Sequence, residues 1–218
     1  MAVLFLAAPV AGEETVPAPF VGCASDGQMG PQPPPATGET PLLSKRDAAL
    51  LSWYAFSDQG VLAPRGWHCF GLYGSAGSSL IVTPEPHGAE LLNQSLKGPA
   101  VERVFRFSST SGRFDVADAA AGLFPTARQF VRGVAAEEMA KIHPWKPTPA
   151  DRIVSRTDKR VEFITAAGRR GLGTKGRMVP SADPIRSAIF LDSEGDLTAI
   201  HVRLAPADAR LAPLIVQH

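Results

Sequence analysis

The chain has 218 residues, of which 44% are apolar and 20% are charged, and its 22 basic and 21 acidic side chains leave a formal net charge of +1. This length predicts one domain that can bury a sizeable core. A charge so near zero argues against a nucleic-acid-binding protein, which is usually strongly basic. Because the sequence has no heptad array, Gly-X-Y period or apolar run of about 20 residues, it excludes a coiled coil, a collagen and a transmembrane segment.

Residues 1–12 predict the remnant of a signal peptide. Residues 3–11 read VLFLAAPVA, an apolar run of nine that is too short to span a bilayer but typical of a signal-peptide core. Small residues follow where a signal peptidase would cleave. No Lys or Arg precedes Lys45, which departs from the usual basic start and leaves a buried apolar arm as the alternative. We expect a periplasmic or secreted protein.

Residues 13–41 predict an extended, proline-rich arm. The run PQPPP over residues 31–35 and the lack of bases favour polyproline geometry and bury little apolar surface. Phe20 and Val21 are exceptions, and they lie just before Cys23. We therefore expect the arm to be pinned at this point to a single domain over residues 42–218.

Cys23 and Cys69 are the only cysteines. In an oxidising compartment, an even count in a turn-rich chain favours a disulfide. Closing that loop contributes about 3–4 kcal/mol in the chain-entropy model. If the protein were cytosolic, two separate buried thiols would be the better interpretation.

The first half of the domain predicts a helix, a hairpin and a strand. Ser44 and Asp47 form a capping-box-like pair, and the apolar residues after them recur at helical spacing, which predicts a helix that ends at Gly60. Residues 66–73 and 79–83 predict a hairpin around a Gly/Ser turn. A short helix over 89–96 and an alternating strand over 100–107 complete this part.

The second half predicts two helices followed mostly by strands. The helices cover residues 114–124 and 126–139, and the strands are expected at 153–155, 160–165, 185–191 and 197–204. A final helix is predicted over 207–216, interrupted by Pro213. Hairpins at both ends with helices between them predict an α+β fold: an antiparallel or mixed sheet with helices packed on one face.

Residues 171–176 read GLGTKG, which matches the GxGxxG pattern after a strand. A dinucleotide site needs this pattern to begin a helix, and Pro180 and Pro184 follow too closely for one. Lys175 follows Thr174 rather than preceding it, which excludes a phosphate loop. We therefore expect a flexible loop and no cofactor.

Residues 152–177 concentrate positive charge. Eight bases against two acids give this segment +6, which leaves −5 for the rest of the chain. Glycine-rich backbone and Arg side chains suit an anion, so the candidate anion-binding residues here are Arg169, Arg170, Lys175 and Arg177. Ser111 and Gly112, between a strand and a helix, form a second candidate. The alternatives are a solvated hairpin end and a simple helix cap.

The sequence assembles no evident catalytic or metal-binding set. There is no GxSxG, and His68 and Cys69 are neighbours on a strand, so their side chains point to opposite faces. The other histidines lie singly, and we expect no metal. A hydrolase stays open as an alternative, with His68 or His201 as the base and a serine such as Ser75 or Ser111 as the nucleophile.

The strings FVGCASDGQ at 20–28 and LAPRGWHCFG at 62–71 each contain one cysteine. They resemble an uncharacterised group of exported bacterial proteins, over most of the chain. The resemblance implies export and no activity, ligand or catalytic residue. The leading hypothesis is an envelope-associated binding or accessory protein that contacts an anionic partner through its basic Gly-rich loop. The alternatives are an envelope hydrolase with a Ser/His pair and a cytosolic chaperone-like or inhibitor protein.

Overall fold

The structure is a computed structural model that describes residues 14–138 and 141–218. The predicted signal-peptide remnant at residues 1–12 lies outside these ranges. The α+β class is confirmed within them, since strands and α-helices both occur. The strands are β1 (Thr15–Pro17), β2 (Phe20–Gly22), β3 (Ala24–Gly27), β4 (Leu42–Ser44), β5 (Leu51–Phe56), β6 (Gln59–Pro64), β7 (His68–Gly74), β8 (Gly77–Thr83), β9 (Ala100–Arg106), β10 (Asp151–Arg156), β11 (Arg160–Thr165), β12 (Ile185–Leu191) and β13 (Leu197–Arg203).

The helices are few and short. They are α1 (Lys45–Ala48), α2 (Arg113–Leu123), α3 (Arg128–Glu138) and α4 (Ala212–Gln217). In the part of the chain that the structure describes, no helix is long and apolar enough to cross a membrane. α4 begins later than the predicted helix because Pro213 lies in its first turn, where a proline is tolerated. The predicted helix over 89–96 is reduced to a single 3₁₀ turn at Ala89–Leu92.

One eight-stranded sheet organises the molecule. Its strand order is β10-β11-β12-β13-β9-β8-β7-β3. Every neighbouring pair is antiparallel except β3 and β7, which run parallel. A smaller sheet has the order β2-β5-β6, and β1 pairs with β4. The sheet is therefore mixed, with hairpins at β7–β8 and β12–β13 where the sequence predicts them.

The helix predicted from Ser44 to Gly60 is wrong. The Ser44 hydroxyl does accept the backbone N–H of Asp47 at 3.1 Å, but the helix lasts one turn, and a hairpin of β5 and β6 follows. Both strands are buried over almost their whole length. A strand that is buried on both faces has a continuous apolar run, which satisfies helical spacing as well as strand spacing.

The two faces of the large sheet carry different layers. On one face, Ala188 and Ile200 pack with the β5–β6 hairpin and with Ile215 of α4. On the other face, Ile189 and Ala199 pack with α2, against which α3 lies. The longer helices thus lie on one face and the short C-terminal helix on the other.

The predicted disulfide between Cys23 and Cys69 is present, with the two Cα atoms 5.4 Å apart. It joins the proline-rich arm to β7 next to the point where β3 pairs with that strand. β2 of the same arm pairs with β5, and β1 pairs with β4. The arm is therefore held by strand pairing at three places as well as by the covalent bond.

Candidate functional site

A row of polar side chains crosses the helix-bearing face of the large sheet. Ser187 on β12 is paired with His201 on β13, and His201 is paired with Glu102 on β9. Residues directly opposite each other in adjacent strands share a face and have close Cβ atoms. All three side chains are buried, with exposures of 0%, 1% and 1%. Buried polar groups on an otherwise apolar face need partners, so the row is a candidate site.

Ser187 fixes the state of the His201 ring. The Ser187 Oγ lies 2.8 Å from the His201 Nδ1. A neutral imidazole can accept at Nδ1, and we assign Ser187 as the donor of this hydrogen bond. Burial lowers the pKa of His201 to about 4, and the ring is therefore neutral near pH 7. With Ser187 assigned as the donor, the proton of the neutral ring is assigned to Nε2.

Glu102 is the buried carboxyl of the row. Its Oε2 accepts the backbone N–H of Arg177 at 2.9 Å. Burial raises the pKa of Glu102, and the Arg177 and Met178 N–H groups together with the charges of Arg177 and Arg106 oppose that rise. Glu102 can therefore hold a proton or a negative charge according to what lies next to it.

A polar cavity of about 240 Å³ opens over Glu102 and His201. Its walls come from the sheet, from α2, from the loop before β10 and from the Gly-rich loop, and the side chains that line it include Ser79, Glu102, Arg106, Asp115, Trp145, Lys175, Arg177 and His201. Three of these side chains are cationic. The cavity shares Ser79, Arg106 and Arg177 with a neighbouring groove of about 450 Å³.

The three cations are held in different ways. Arg106 forms an ion pair with Asp115 at 2.9 Å and also donates to the carbonyl of Ser78. The exposed Lys175 places its Nζ 5.7 Å from the centre of the Trp145 ring.

Arg177 donates through Nη1 to the carbonyl of Leu92 at 2.9 Å. Its Nε is buried and has no hydrogen-bond partner in the described structure, since the Glu102 Oε1 lies 4.0 Å away.

The glycines of the GxGxxG string allow the loop to pack closely over buried polar groups. A Cβ atom on Gly176 would lie 2.4 Å from the Glu102 Oε2, and one on Gly173 would lie 2.8 Å from the Thr165 Oγ1. The loop is also hydrogen-bonded: the backbone N–H of Gly173 donates to Thr165 and that of Leu172 donates to Asp151. The loop predicted to be flexible is therefore fastened to the sheet, and Gly176 lies in the roof of the cavity.

The structure divides the predicted anion-binding residues into separate groups. Lys175 and Arg177 line the cavity, whereas Arg169 and Arg170 are exposed earlier in the same loop and do not line it. Ser111, in the loop between β9 and α2, contacts the β7–β8 turn: its Oγ is 3.2 Å from the Ser75 Oγ. Gly112 directly precedes α2 and is not part of the cavity wall.

The Ser/His pairs considered for a hydrolase do not form in the described residues. Ser75 contacts Ser111 and Gln28, whereas His201 contacts Ser187. Ser187 is fully buried and does not line the cavity, so its hydroxyl cannot reach a substrate there. Its role is to orient the imidazole.

Sequence reasoning named His201, Lys175 and Arg177 but missed Glu102 and Arg106. The signal was present in the strand over 100–107, because alternation puts Glu102, Val104 and Arg106 on one side of β9. Trp145 had no such signal, since it lies in an irregular proline-rich loop.

The sequence matches no family model and no curated protein, and the fold matches no solved structure. The chemistry of the cavity is defined by its own residues: three cationic side chains, the His201 imidazole and Asp115 line it together with the buried carboxyl of Glu102.

Proposed function

We propose that this chain is an exported binding protein of the bacterial envelope that holds a small anionic ligand in the polar cavity. One observation supports this above all: Arg177 lines the cavity, and its buried Nε has no hydrogen-bond partner in the described residues. Leaving a buried donor unpaired costs about 1–3 kcal/mol. A ligand in the cavity that accepts from Arg177 removes that cost.

The charge of the cavity favours an anion. Arg106, Lys175 and Arg177 face two carboxyl groups, Glu102 and Asp115, and burial favours the neutral form of Glu102. Arg106 and Asp115 already neutralise each other, whereas Lys175 has no ion-pair partner among the described residues. The surplus is positive, and hydrogen bonds from charged donors to an anion are among the strongest in proteins.

Export is supported by three features of the chain. The disulfide between Cys23 and Cys69 is of the kind that persists in oxidising compartments. The apolar start is typical of a signal-peptide core, and the two cysteine-containing strings resemble exported bacterial proteins. The anionic partner in this proposal is therefore a small molecule met outside the cytoplasm.

Calorimetric titration of the purified protein with acetate and with inorganic phosphate tests the proposal. We expect binding of at least one of them, weakened about tenfold or more by Arg177→Gln or Lys175→Gln, because each removes a charged donor from the cavity. Arg169→Gln and Arg170→Gln are matched controls: they remove the same charge from exposed positions of the same loop.

The controls decide between a site and a diffuse charge effect. If Arg169→Gln weakens binding as much as Arg177→Gln does, the anion binds the surface and the cavity is not its site. The absence of any heat or chemical-shift change with both anions would contradict the proposal outright.

A further inference from the structure

The cavity contains a buried acceptor as well as donors. From this combination we infer that its ligand is a small carboxylic acid with a hydroxyl or ammonium group next to the carboxylate, and that Glu102 selects that second group. This inference rests on the proposed function, because it concerns the same cavity. It goes further by naming the chemical class of the ligand.

The geometry places Glu102 beside the donors that would hold the anion. Glu102 and His201 are directly paired across β9 and β13, and the Glu102 Oε1 is 4.0 Å from the Arg177 Nε. An anionic group that accepts from His201 and Arg177 therefore lies close to the carboxyl of Glu102. The negative charge of such a ligand and that of an ionised Glu102 would repel each other strongly where bulk water is excluded.

Such repulsion can be relieved in two ways. Glu102 can take up a proton, or the ligand can present its own hydrogen-bond donor to Glu102. A hydroxyl or ammonium group on the carbon next to the ligand carboxylate can donate to Glu102 in this way, since Glu102 and the cationic donors line the same small cavity. A simple carboxylate carries no such donor, so only protonation of Glu102 can relieve the repulsion.

The groups that face Glu102 come from every element around the cavity. Arg106 comes from β9 itself, His201 from β13, Asp115 from α2, and Lys175 and Arg177 from the Gly-rich loop. The two arginines favour the charged form of Glu102, whereas burial raises its pKa and favours the neutral form. A negatively charged ligand beside Glu102 favours its neutral form further, whereas a hydrogen-bond donor on the ligand favours its ionised form.

Three ligands of nearly equal size isolate the second group: propionate, lactate and L-alanine. Lactate adds a hydroxyl to propionate, and L-alanine adds an ammonium at the same carbon. By calorimetric titration at pH 7 we expect lactate or L-alanine to bind at least about tenfold more tightly than propionate, because only they satisfy an ionised Glu102. Whichever of the two binds better identifies the donor.

Proton uptake gives a second readout. Propionate must bring a proton to Glu102, so its affinity should rise as the pH falls, and its binding heat should depend on the ionisation enthalpy of the buffer. The preferred ligand should take up fewer protons. This difference would not arise if Glu102 were only a structural residue.

Glu102→Gln is the decisive variant, and Glu102→Asp is its conservative control. Glu102→Gln should abolish the preference and the proton uptake and should tighten propionate, whereas Glu102→Asp should keep the preference. Equal affinities for the three ligands in the wild-type protein would overturn the inference, and that result does not depend on whether a variant folds. A preference that survives Glu102→Gln would overturn it as well.

The failure of this inference differs from the failure of the proposed function. If all three carboxylates bind equally and Arg177→Gln weakens each of them, the anion-binding cavity stands and the selective role of Glu102 falls. If neither these ligands nor inorganic phosphate bind, both fall together.

Discussion

Two arginines that fasten the same stretch of loop differ in how completely their hydrogen bonds are satisfied. Arg203 has 0% exposure, and its guanidinium donates to the carbonyls of Leu96, Gly98 and Val179. Arg177 donates to the nearby carbonyl of Leu92, but its buried Nε has no partner in the described structure.

The contrast separates structure from function. The fully satisfied Arg203 holds the loops over the sheet, because each of its contacts joins β13 to a backbone carbonyl outside it. The incompletely satisfied Arg177 lies on the cavity wall, where a ligand can supply the missing acceptor. A buried polar group without a partner needs an explanation, and we propose that the Arg177 Nε belongs to a binding site.

Replacing each arginine by methionine tests this contrast and should give the largest effect. Arg203→Met removes the three hydrogen bonds that the buried guanidinium donates to backbone carbonyls, and we expect it to lower the free energy of unfolding by about 3–5 kcal/mol. Arg177→Met should lower it by less than about 1 kcal/mol, because it also removes an unpaired donor.

Urea denaturation of the two variants measures both values. Equal destabilisation by the two substitutions would mean that Arg177 is as structural as Arg203, and the distinction between them would fail. Loss of anion binding in Arg177→Met without loss of stability would sharpen it.

Burial of His201 should make the stability of the protein depend on pH. Unfolded His201 takes up a proton as the pH falls below 6.5, whereas in the folded protein its pKa is about 4. The unfolded state binds more protons between these values, so His201 makes the folded protein less stable as the pH falls from 6.5 to 4. The expected loss is on the order of 3 kcal/mol.

The raised pKa of Glu102 has the opposite sign, because the folded state then keeps a proton that the unfolded state releases. The quantity to measure is therefore the difference between wild type and His201→Asn in the free energy of unfolding, followed from pH 7 to pH 4. A constant difference would show that the ring titrates normally in the folded state and is not sealed.

Much of the fold follows from local patterns in the sequence. Alternation and turn residues predict both hairpins, at β7–β8 and β12–β13, and the two cysteines predict the disulfide. The sequence wrongly predicts a helix where β5 lies, because this strand is buried on both faces and shows no alternation. In such a segment, periodicity cannot separate helix from strand.

The site is less predictable than the fold. Composition identifies the basic Gly-rich loop, but only the path of the chain decides that Lys175 and Arg177 reach the cavity whereas Arg169 and Arg170 do not. The pairing of Glu102 with His201 depends on strand register between β9 and β13, which are far apart in sequence. Register of distant strands is set by the assembled core rather than by local sequence.

The smallest effect comes from the cavity roof. We expect Gly176→Ala to lower the free energy of unfolding by about 1–3 kcal/mol, because the new methyl group would overlap the Glu102 carboxyl and force the loop outward. Gly98→Ala is a fair control: Gly98 also lies in a loop beside a buried arginine, and an added Cβ meets no atom within 4 Å. The control should stay within about 0.5 kcal/mol of wild type. If Gly176→Ala changes neither the free energy of unfolding nor the affinity for the anion, the loop at Gly176 is not closely packed on Glu102. The cavity wall that contains Arg177 would then be wrongly placed.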